Sequence, residues 1–299
     1  MPLHHYIEQY FQKYPDARWK GIDVDNPPIE KRPKVLNIED MTVNAGTHQI
    51  PIRIYTPEES APYPLHVFFH GGSYINGSLE SHDVSCRLIC SLSGVKVIAV
   101  DYRKAPEHPA PAAFQDCYTV TKWVVDNAEQ LGGNQHNISV GGSSAGGNLA
   151  TCVALKSIKT GDFNLAKQVL HYPATDLDEK IKGSEYQSRD LYNAKYGVDI
   201  TQSQTHLKHG EQENSPFISP IEATSDMLEK MPDTLIFTAE YDPLCDEGEA
   251  YAEKLKEAGV NVRLVRFDGD IHGFMQYFPG SPDYMRGYDI TSEFLIGEQ

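Results

Sequence analysis

NISVGGSSAGGNLA, residues 137–150, combines a short apolar strand, a serine flanked by glycines and the start of a helix. Within it, GSSAG at residues 142–146 matches the pattern Gly-x-Ser-x-Gly. That pattern forms a sharp turn between a strand and a helix, and its glycines let neighbouring backbone approach the exposed serine closely. We therefore predict that Ser144 is a nucleophile. Ser143 is the alternative, but the residue two positions after it is Ala145 rather than glycine.

Outward from this turn, buried strands alternate with amphipathic helices. Strands are predicted at 36–43, 49–56, 65–69, 96–100, 137–140, 169–172, 234–237 and 262–265, and helices at 111–131, 145–158, 246–258 and 282–296. Such alternation implies right-handed βαβ units around a mostly parallel sheet. We expect an α/β fold with helices on both faces of the sheet, and a site beyond the carboxyl ends of the strands.

Two segments outside the alternation predict a helical cap. Ile7 and Phe11 lie on one apolar face of an N-terminal helix, and residues 180–215 are polar and rich in tyrosine without a strand pattern. We predict one domain over 1–299, with a cap built from about 1–35 and 180–215. The alternatives are that the first helix packs against the main body and that the second segment is a surface excursion.

A glycine loop at 70–73, His-Gly-Gly-Ser, follows the predicted strand at 65–69. Acyl transfer builds negative charge on a carbonyl oxygen, and preformed N–H donors stabilise that charge. We predict that the N–H groups of Gly71 and Gly72, with Ala145 as a third donor, form such an oxyanion hole. Without the serine turn, this loop would be only a glycine turn at the end of a strand.

A serine nucleophile needs a base, usually a histidine held by a carboxylate, and in this architecture the order along the chain is serine, acid, histidine. His272 follows the last predicted strand and is the predicted base, whereas His171 lies inside a strand. His206 and His209 fall in the polar segment.

Asp242 is the predicted acid, because it follows the preceding strand and lies 30 residues before His272 (272 − 242). Three other carboxylates are close in sequence. Glu240 is expected to point to the other side of the strand end, and Asp246 has the position of a helix N-cap. Asp270 lies only two residues from His272, so one short loop would have to present both side chains.

The bulk composition excludes several classes of protein. With 42 Asp and Glu against 26 Lys and Arg, the net charge of −16 repels nucleic acid and anionic membranes. No run of 18 apolar residues is present, so no membrane span is predicted, and the N-terminus lacks the pattern of a secretory signal. Five scattered cysteines indicate free thiols in a reducing cytoplasm.

Five motifs in this order resemble those of the hormone-sensitive lipase family of α/β-hydrolases, over about residues 65–275. They are HGG (70–72), DYRKAPEHPAPAAFQDC (101–117), GSSAGGNLA (142–150), TAEYDPLCDEGEAYA (238–252) and IHGF (271–274). The resemblance implies the α/β-hydrolase fold with a helical cap. It also implies Ser144 as nucleophile, Asp242 as acid, His272 as base, and Gly71 and Gly72 at the oxyanion hole.

Two residues depart from the family pattern. Ser73 stands where the family has a third glycine, and Ser143 stands where the residue before the nucleophile is usually acidic. We expect these changes to affect loop flexibility, hydrogen bonding and pH behaviour without abolishing activity.

The resemblance implies a carboxylesterase for short- to medium-chain esters, which acts through an acyl-enzyme and needs no metal or organic cofactor. Its partner would be a small-molecule ester, and a homodimer is compatible with the family. One alternative is a small-molecule receptor that has lost the catalytic histidine, which the presence of His272 disfavours. Another is an amidase or peptidase, because neither fold nor triad fixes the leaving group.

Overall fold

The computed structural model describes residues 2–15, 26–177 and 215–297. Within these ranges eight strands form one sheet. They are β1 (Asn37–Asn44), β2 (Gln49–Thr56), β3 (Tyr63–Phe69), β4 (Lys96–Val100), β5 (Gly133–Ser143), β6 (Lys167–His171), β7 (Asp233–Tyr241) and β8 (Val262–Ile271).

Helices precede, connect and follow these strands. In chain order they are α1 (His5–Lys13), α2 (Asp83–Ser93), α3 (Ala112–Asp126), α4 (Ala145–Thr160), α5 (Ser225–Leu228), α6 (Cys245–Glu257), α7 (Phe274–Tyr277) and α8 (Pro282–Ile296). Short 3₁₀ turns also lie at Ile29–Lys31 and Pro220–Glu222. In the described ranges no helix has the length and apolar character needed to cross a membrane.

The strand order is β1-β2-β4-β3-β5-β6-β7-β8. From β4 to β8 every neighbouring pair is parallel, and β2 is antiparallel to both of its neighbours, β1 and β4. The predicted mostly parallel α/β sheet is therefore confirmed. All parallel strands end at one edge, where β5, β7 and β8 deliver Ser143, Tyr241 and Ile271.

Apolar residues on both faces of the sheet make two cores. Along β3, Val67 and Phe69 belong to one core and Phe68, which points the other way, belongs to the second. In β4, Ile98 likewise belongs to the first core and Ala99 to the second. Side chains alternate between the faces of a strand, and a parallel sheet covered by helices on both faces is therefore apolar throughout its central strands.

The boundaries of several elements differ from the predictions. The helix expected at 111–131 ends at Asp126, and α2 (Asp83–Ser93) was not predicted at all. The buried face of α2 includes the polar residues Asp83, Ser85 and Ser93. They interrupt the helical spacing of apolar residues from which helices were predicted. β8 continues to Ile271, six residues beyond its predicted end.

The predicted cap consists of two segments, and the structure describes part of the first but little of the second. In α1, Ile7 and Phe11 are buried, and the Phe11 ring lies 6.2 Å from that of Phe278. The alternative in which this helix packs on the main body therefore fits the observed contacts. The second segment, 180–215, lies outside the described residues except for its last residue, and its role in a cap stays a prediction.

Helix α4 packs unusually close to β3. A Cβ on Gly146 would lie 2.0 Å from the carbonyl oxygen of Phe69, and one on Gly142 would lie 2.4 Å from the same oxygen. Real Cβ atoms essentially never come within 3.0 Å of another heavy atom in this way. The two glycines of the serine turn are therefore needed to hold β3, β5 and α4 together.

Replacing Gly146 with alanine should separate α4 from β3. We expect Gly146→Ala to lower the free energy of unfolding by about 1–3 kcal/mol or more, the usual cost of overpacking. Urea unfolding would measure the loss. Gly248→Ala in α6 is the matched control: its added Cβ would lie 3.1 Å from a side-chain methyl of Thr238 and 4.0 Å from Pro173, with no backbone atom as close as for Gly146. Its change should stay within about 1 kcal/mol, because alanine favours helix. Equal losses in both variants would contradict the argument.

Candidate active site

Ser144 occupies the sharp turn between β5 and α4. Its backbone has φ 56° and ψ −118°, outside the regions that non-glycine residues favour. Its N–H donates a hydrogen bond to the carbonyl of His171, at the end of β6. Ser144 is partly exposed, whereas Ser143 is buried. The turn thus presents the hydroxyl of Ser144 above the sheet, as the sequence predicted.

A continuous chain of hydrogen bonds starts at this hydroxyl. Ser144 Oγ lies 2.9 Å from His272 Nε2, and His272 Nδ1 lies 2.7 Å from Asp242 Oδ2. A carboxylate only accepts, so Nδ1 carries the proton and Nε2 accepts from the serine hydroxyl. The structure therefore brings together the three residues that the sequence placed in the nucleophile, base and acid roles.

Asp242 is completely buried at the end of β7. Its Oδ2 accepts from His272, and its Oδ1 accepts from the N–H of Leu244 at 2.8 Å. Buried charge is tolerated where it is paired and hydrogen-bonded, and both oxygens of Asp242 meet this condition.

The three alternative carboxylates lie elsewhere. Glu240 accepts from the N–H of Gly269, on the other side of the strand end, as expected. Asp270 faces His4 and Asp283 rather than His272. Asp246 lies within the first turn of α6, where Leu244 has the N-cap position, so the prediction that Asp246 caps this helix is wrong.

Tyr172 also supports the histidine, and sequence reasoning missed it. Its ring meets the imidazole of His272 edge-on, with centroids 5.2 Å apart, and also packs edge-on against the ring of Phe274. The backbone φ of Tyr172 is 38°, a strained value for an aromatic residue. Residue 172 directly follows β6, so only the preceding strand could have pointed to it.

The loop at 70–73 is tied to the serine turn by a buried histidine. The N–H of Gly71 donates to His82 Nε2 at 3.2 Å, and Ser143 Oγ lies 3.2 Å from the same nitrogen. Because this N–H is donated to His82, the structure does not support the prediction that Gly71 supplies an oxyanion donor. His82 was not among the residues singled out from the sequence.

His82 accepts these bonds because it is neutral. Burial lowers the pKa of His82 well below its usual value, and the neighbouring imidazole of His70 lowers it further. Its Nδ1 lies 2.9 Å from Ser81 Oγ, whose own hydroxyl proton goes to the carbonyl of Ser78. Nδ1 therefore carries the proton, and Nε2 is left as an acceptor for Gly71 and Ser143.

The next two N–H groups of the loop, those of Gly72 and Ser73, are not held by a hydrogen bond of this kind. Among the hydrogen bonds within 2–15, 26–177 and 215–297, none is donated by the N–H of Gly72 or Ser73. Ser73 has φ 56°, and a Cβ on Gly72 would lie 2.4 Å from the carbonyl of Asn76. Ala145 begins α4, where the first helical amides have no partner within the helix. These amides are available to an anion.

A cavity of about 350 Å³ is bordered by Asn148 and Leu149, which lie about one turn of α4 beyond Ser144. Tyr74, Asn148, Leu149, Phe114, Ala113 and Phe217 are among the residues that line it. The hydroxyl of Tyr74 is buried and finds no hydrogen-bond partner in the described parts of the chain. A mostly apolar cavity with a few polar groups is typical of a site for a small organic molecule.

This arrangement can carry out nucleophilic acyl transfer. A hydroxyl, a histidine that accepts its proton and a buried carboxylate that orients the histidine are present in hydrogen-bonding order. The reaction requires no metal at these residues. A separate group of possible metal ligands, His4, Asp270 and Asp283, shares no residue with the chain of bonds from Ser144.

Comparison with known proteins identifies relatives of the whole chain. Residues 66–276 match the model of a family described as alpha/beta hydrolase fold. An arylesterase of Saccharolobus solfataricus is 36% identical over 293 residues, which cover 96% of this chain and 92% of that protein. A carboxylesterase of Mycobacterium tuberculosis is 35% identical over 277 residues, covering 87% and 82%.

A solved structure gives the same result. The hyperthermophilic esterase from the archaeon Pyrobaculum calidifontis superposes with a TM-score of 0.87 at 32% identity. The superposition covers 99% of this chain and 98% of that one.

Removing the imidazole of His82 should destabilise the protein. In His82→Ala the N–H of Gly71 and the hydroxyl of Ser143 are left buried without their acceptor. We expect the free energy of unfolding to fall by at least about 1–3 kcal/mol, the cost of one such orphaned group. Chemical denaturation would measure it. His136→Ala removes an exposed histidine and should stay within about 0.5 kcal/mol. An unchanged stability of His82→Ala would refute the assigned role.

Proposed function

We propose, from the premise that this chain belongs to the alpha/beta hydrolase fold family and to its hormone-sensitive-lipase-like group of bacterial esterases, that Ser144, His272 and Asp242 are the catalytic residues of a carboxylic ester hydrolase. The observation that carries the proposal is the unbroken hydrogen-bond chain from Ser144 Oγ through His272 to the buried carboxylate of Asp242. The names of the relatives, arylesterase and carboxylesterase, support the ester as substrate.

In the first half-reaction Ser144 Oγ attacks the carbonyl carbon of the ester while its proton passes to His272 Nε2. The tetrahedral intermediate then collapses, the bond from carbon to the alkoxy oxygen breaks, and the leaving alcohol takes the proton from His272. Asp242 holds Nδ1 and stabilises the imidazolium that forms between these steps. The product of this half-reaction is an acyl-enzyme on Ser144.

In the second half-reaction water takes the place of Ser144 as the attacking group. His272 Nε2 removes a proton from the water, and the hydroxide adds to the acyl carbon. Collapse of this second intermediate returns the proton to Ser144 Oγ and releases the carboxylic acid. His272 activates both Ser144 and the attacking water, so this chemistry requires neither a metal nor an organic cofactor.

The N–H groups of Gly72, Ser73 and Ala145 are the proposed oxyanion donors. Gly72 and Ser73 follow the amide that His82 holds, and Ala145 stands at the positive end of α4. Each such donor typically stabilises the transition state by about 2.7–4 kcal/mol. Ser73 supplies its donor from the backbone, so a serine in place of glycine leaves this role intact.

The cavity beside Leu149 and Tyr74 is the proposed binding site for the acyl chain. Its volume of about 350 Å³ lies at the small end of the roughly 300–1,000 Å³ found for small-molecule sites. This size favours short and medium acyl chains. A small-molecule ester is thus the proposed partner, while a homodimer and a cytoplasmic location remain predictions from the sequence.

Loss of the nucleophile should abolish ester hydrolysis. For Ser144→Ala we expect kcat on a p-nitrophenyl ester to fall by about 10⁴-fold or more, because no covalent acyl-enzyme can form. Release of p-nitrophenol measures the rate. After the wild type has been treated with a reactive phosphonate, mass spectrometry should find a covalent phosphonate adduct on Ser144.

Ser143→Ala is the matched control. It removes only the hydroxyl that contacts His82, so activity should fall by no more than about tenfold, the value of one hydrogen bond. If Ser143→Ala were inactive and Ser144→Ala active, the nucleophile would have been assigned to the wrong serine.

Narrowing the cavity should shift the preference for acyl length. Ala113→Phe adds a ring to the cavity wall and should displace the end of a long acyl chain. Each buried methylene contributes about 0.8 kcal/mol, so loss of two should lower kcat/KM for octanoate by about tenfold relative to acetate. A series of p-nitrophenyl esters from acetate to decanoate measures this ratio. A uniform loss across the series would place the acyl chain outside this cavity.

A further inference from the structure

Three side chains from distant parts of the sequence converge beside the end of β8. His4 immediately precedes α1, Asp270 is the penultimate residue of β8, and Asp283 lies in the first turn of α8. One ligand atom from each lies within 4.8 Å of the other two. The backbone holds the first of them in place, because the N–H of His4 donates to the carbonyl of Gly269 at 2.9 Å.

One oxygen at the centre of this group has no satisfactory partner. The side chain of Asp270 is completely buried, and its Oδ2 finds no hydrogen bond within the described residues. His4 Nε2 lies 3.8 Å from this oxygen. Among the described residues, no hydrogen-bond donor therefore reaches this buried oxygen.

The other oxygens of the two carboxylates are already held. Ser281 Oγ donates to Asp270 Oδ1 at 3.2 Å, and Arg286 donates to Asp283 Oδ1 at 2.8 Å. Both Oδ2 atoms are thereby left facing His4 Nε2, which lies 3.1 Å from that of Asp283. Outer hydrogen bonds of this kind orient the ligands of metal sites.

We propose that His4, Asp270 and Asp283 bind one divalent transition-metal ion of the zinc class. One imidazole nitrogen and two carboxylate oxygens suit such an ion. Bonds of about 2.1 Å place neighbouring ligand atoms roughly 3.0–3.4 Å apart. His4 Nε2 lies 3.1 and 3.8 Å from the two carboxylates, and the ligand oxygens of the carboxylates lie within 4.8 Å of each other. Side-chain rotation would bring all three ligand atoms into this range.

The ion would have a structural role. It would join the N-terminal segment, through His4, to β8 and α8, through Asp270 and Asp283. Asp270, the nearer of these two in sequence, lies 266 residues after His4 (270 − 4). The His4 side chain is 20% exposed and that of Asp283 is 13% exposed, so the ion has an entry path and water can complete its coordination. Ser144, His272 and Asp242 are not ligands, and ester hydrolysis does not depend on this site.

Zinc binding by tag-free protein tests the proposal. Protein stripped with a chelator is dialysed against micromolar Zn²⁺, and bound metal is measured by inductively coupled plasma mass spectrometry. The wild type should bind one equivalent more than His4→Ala. His5→Ala removes the neighbouring exposed histidine and should bind as the wild type does. All five cysteines are buried, which limits competition from thiols.

Thermal unfolding gives a second readout. Zn²⁺ should raise the Tm of the wild type and of His5→Ala by a few degrees, and leave those of His4→Ala and Asp283→Asn unchanged. Mg²⁺, which prefers oxygen ligands, should have little effect. Equal zinc content in the wild type and His4→Ala, or an equal rise in Tm, would overturn the proposal. That result would leave a proton shared between Asp270 and Asp283 as the explanation of the cluster.

Discussion

The contact between Gly146 and the carbonyl of Phe69 is the constraint on which the site depends. Neither Gly142 nor Gly146 has room for a Cβ against that oxygen, so α4 can begin immediately above the edge of β3. This close packing forces the chain through the strained conformation at Ser144, with φ 56°. The strain is held by the surrounding sheet, and its consequence is a hydroxyl raised above the carboxyl edge, within reach of a histidine from β8.

A second constraint fixes the loop that faces this hydroxyl. His82 accepts from Gly71 on one segment and lies against Ser143 on another, so one neutral imidazole connects the loop at 70–73 with the serine turn. A protonated ring would lack the lone pair that both contacts use. Ser143 carries no charge, so its contact with His82 is compatible with a neutral imidazole.

What the sequence could predict was local, and what it could not predict was assembled from distant residues. Ser144, Asp242 and His272 each follow a strand, so strand patterns and chain order were enough to find them. The direction of the Gly71 amide depends on His82, eleven residues away across a turn that no periodic pattern describes. The helix α2 was not predicted because polar residues are buried in it, although its buried face also contains Cys86, Leu88, Ile89 and Cys90.

The carboxylates near His272 show why proximity alone does not identify a catalytic acid. Asp270 is closer in sequence to His272 than Asp242 is, and it is equally buried. Asp242 has hydrogen-bond donors for both oxygens, the N–H of Leu244 and the imidazole of His272. Asp270 lies beside the carboxylate of Asp283, and its Oδ2 has no donor within the described part of the chain. Neighbouring groups, rather than position on the strand, therefore separate an acid that orients a base from one that is suited to a cation.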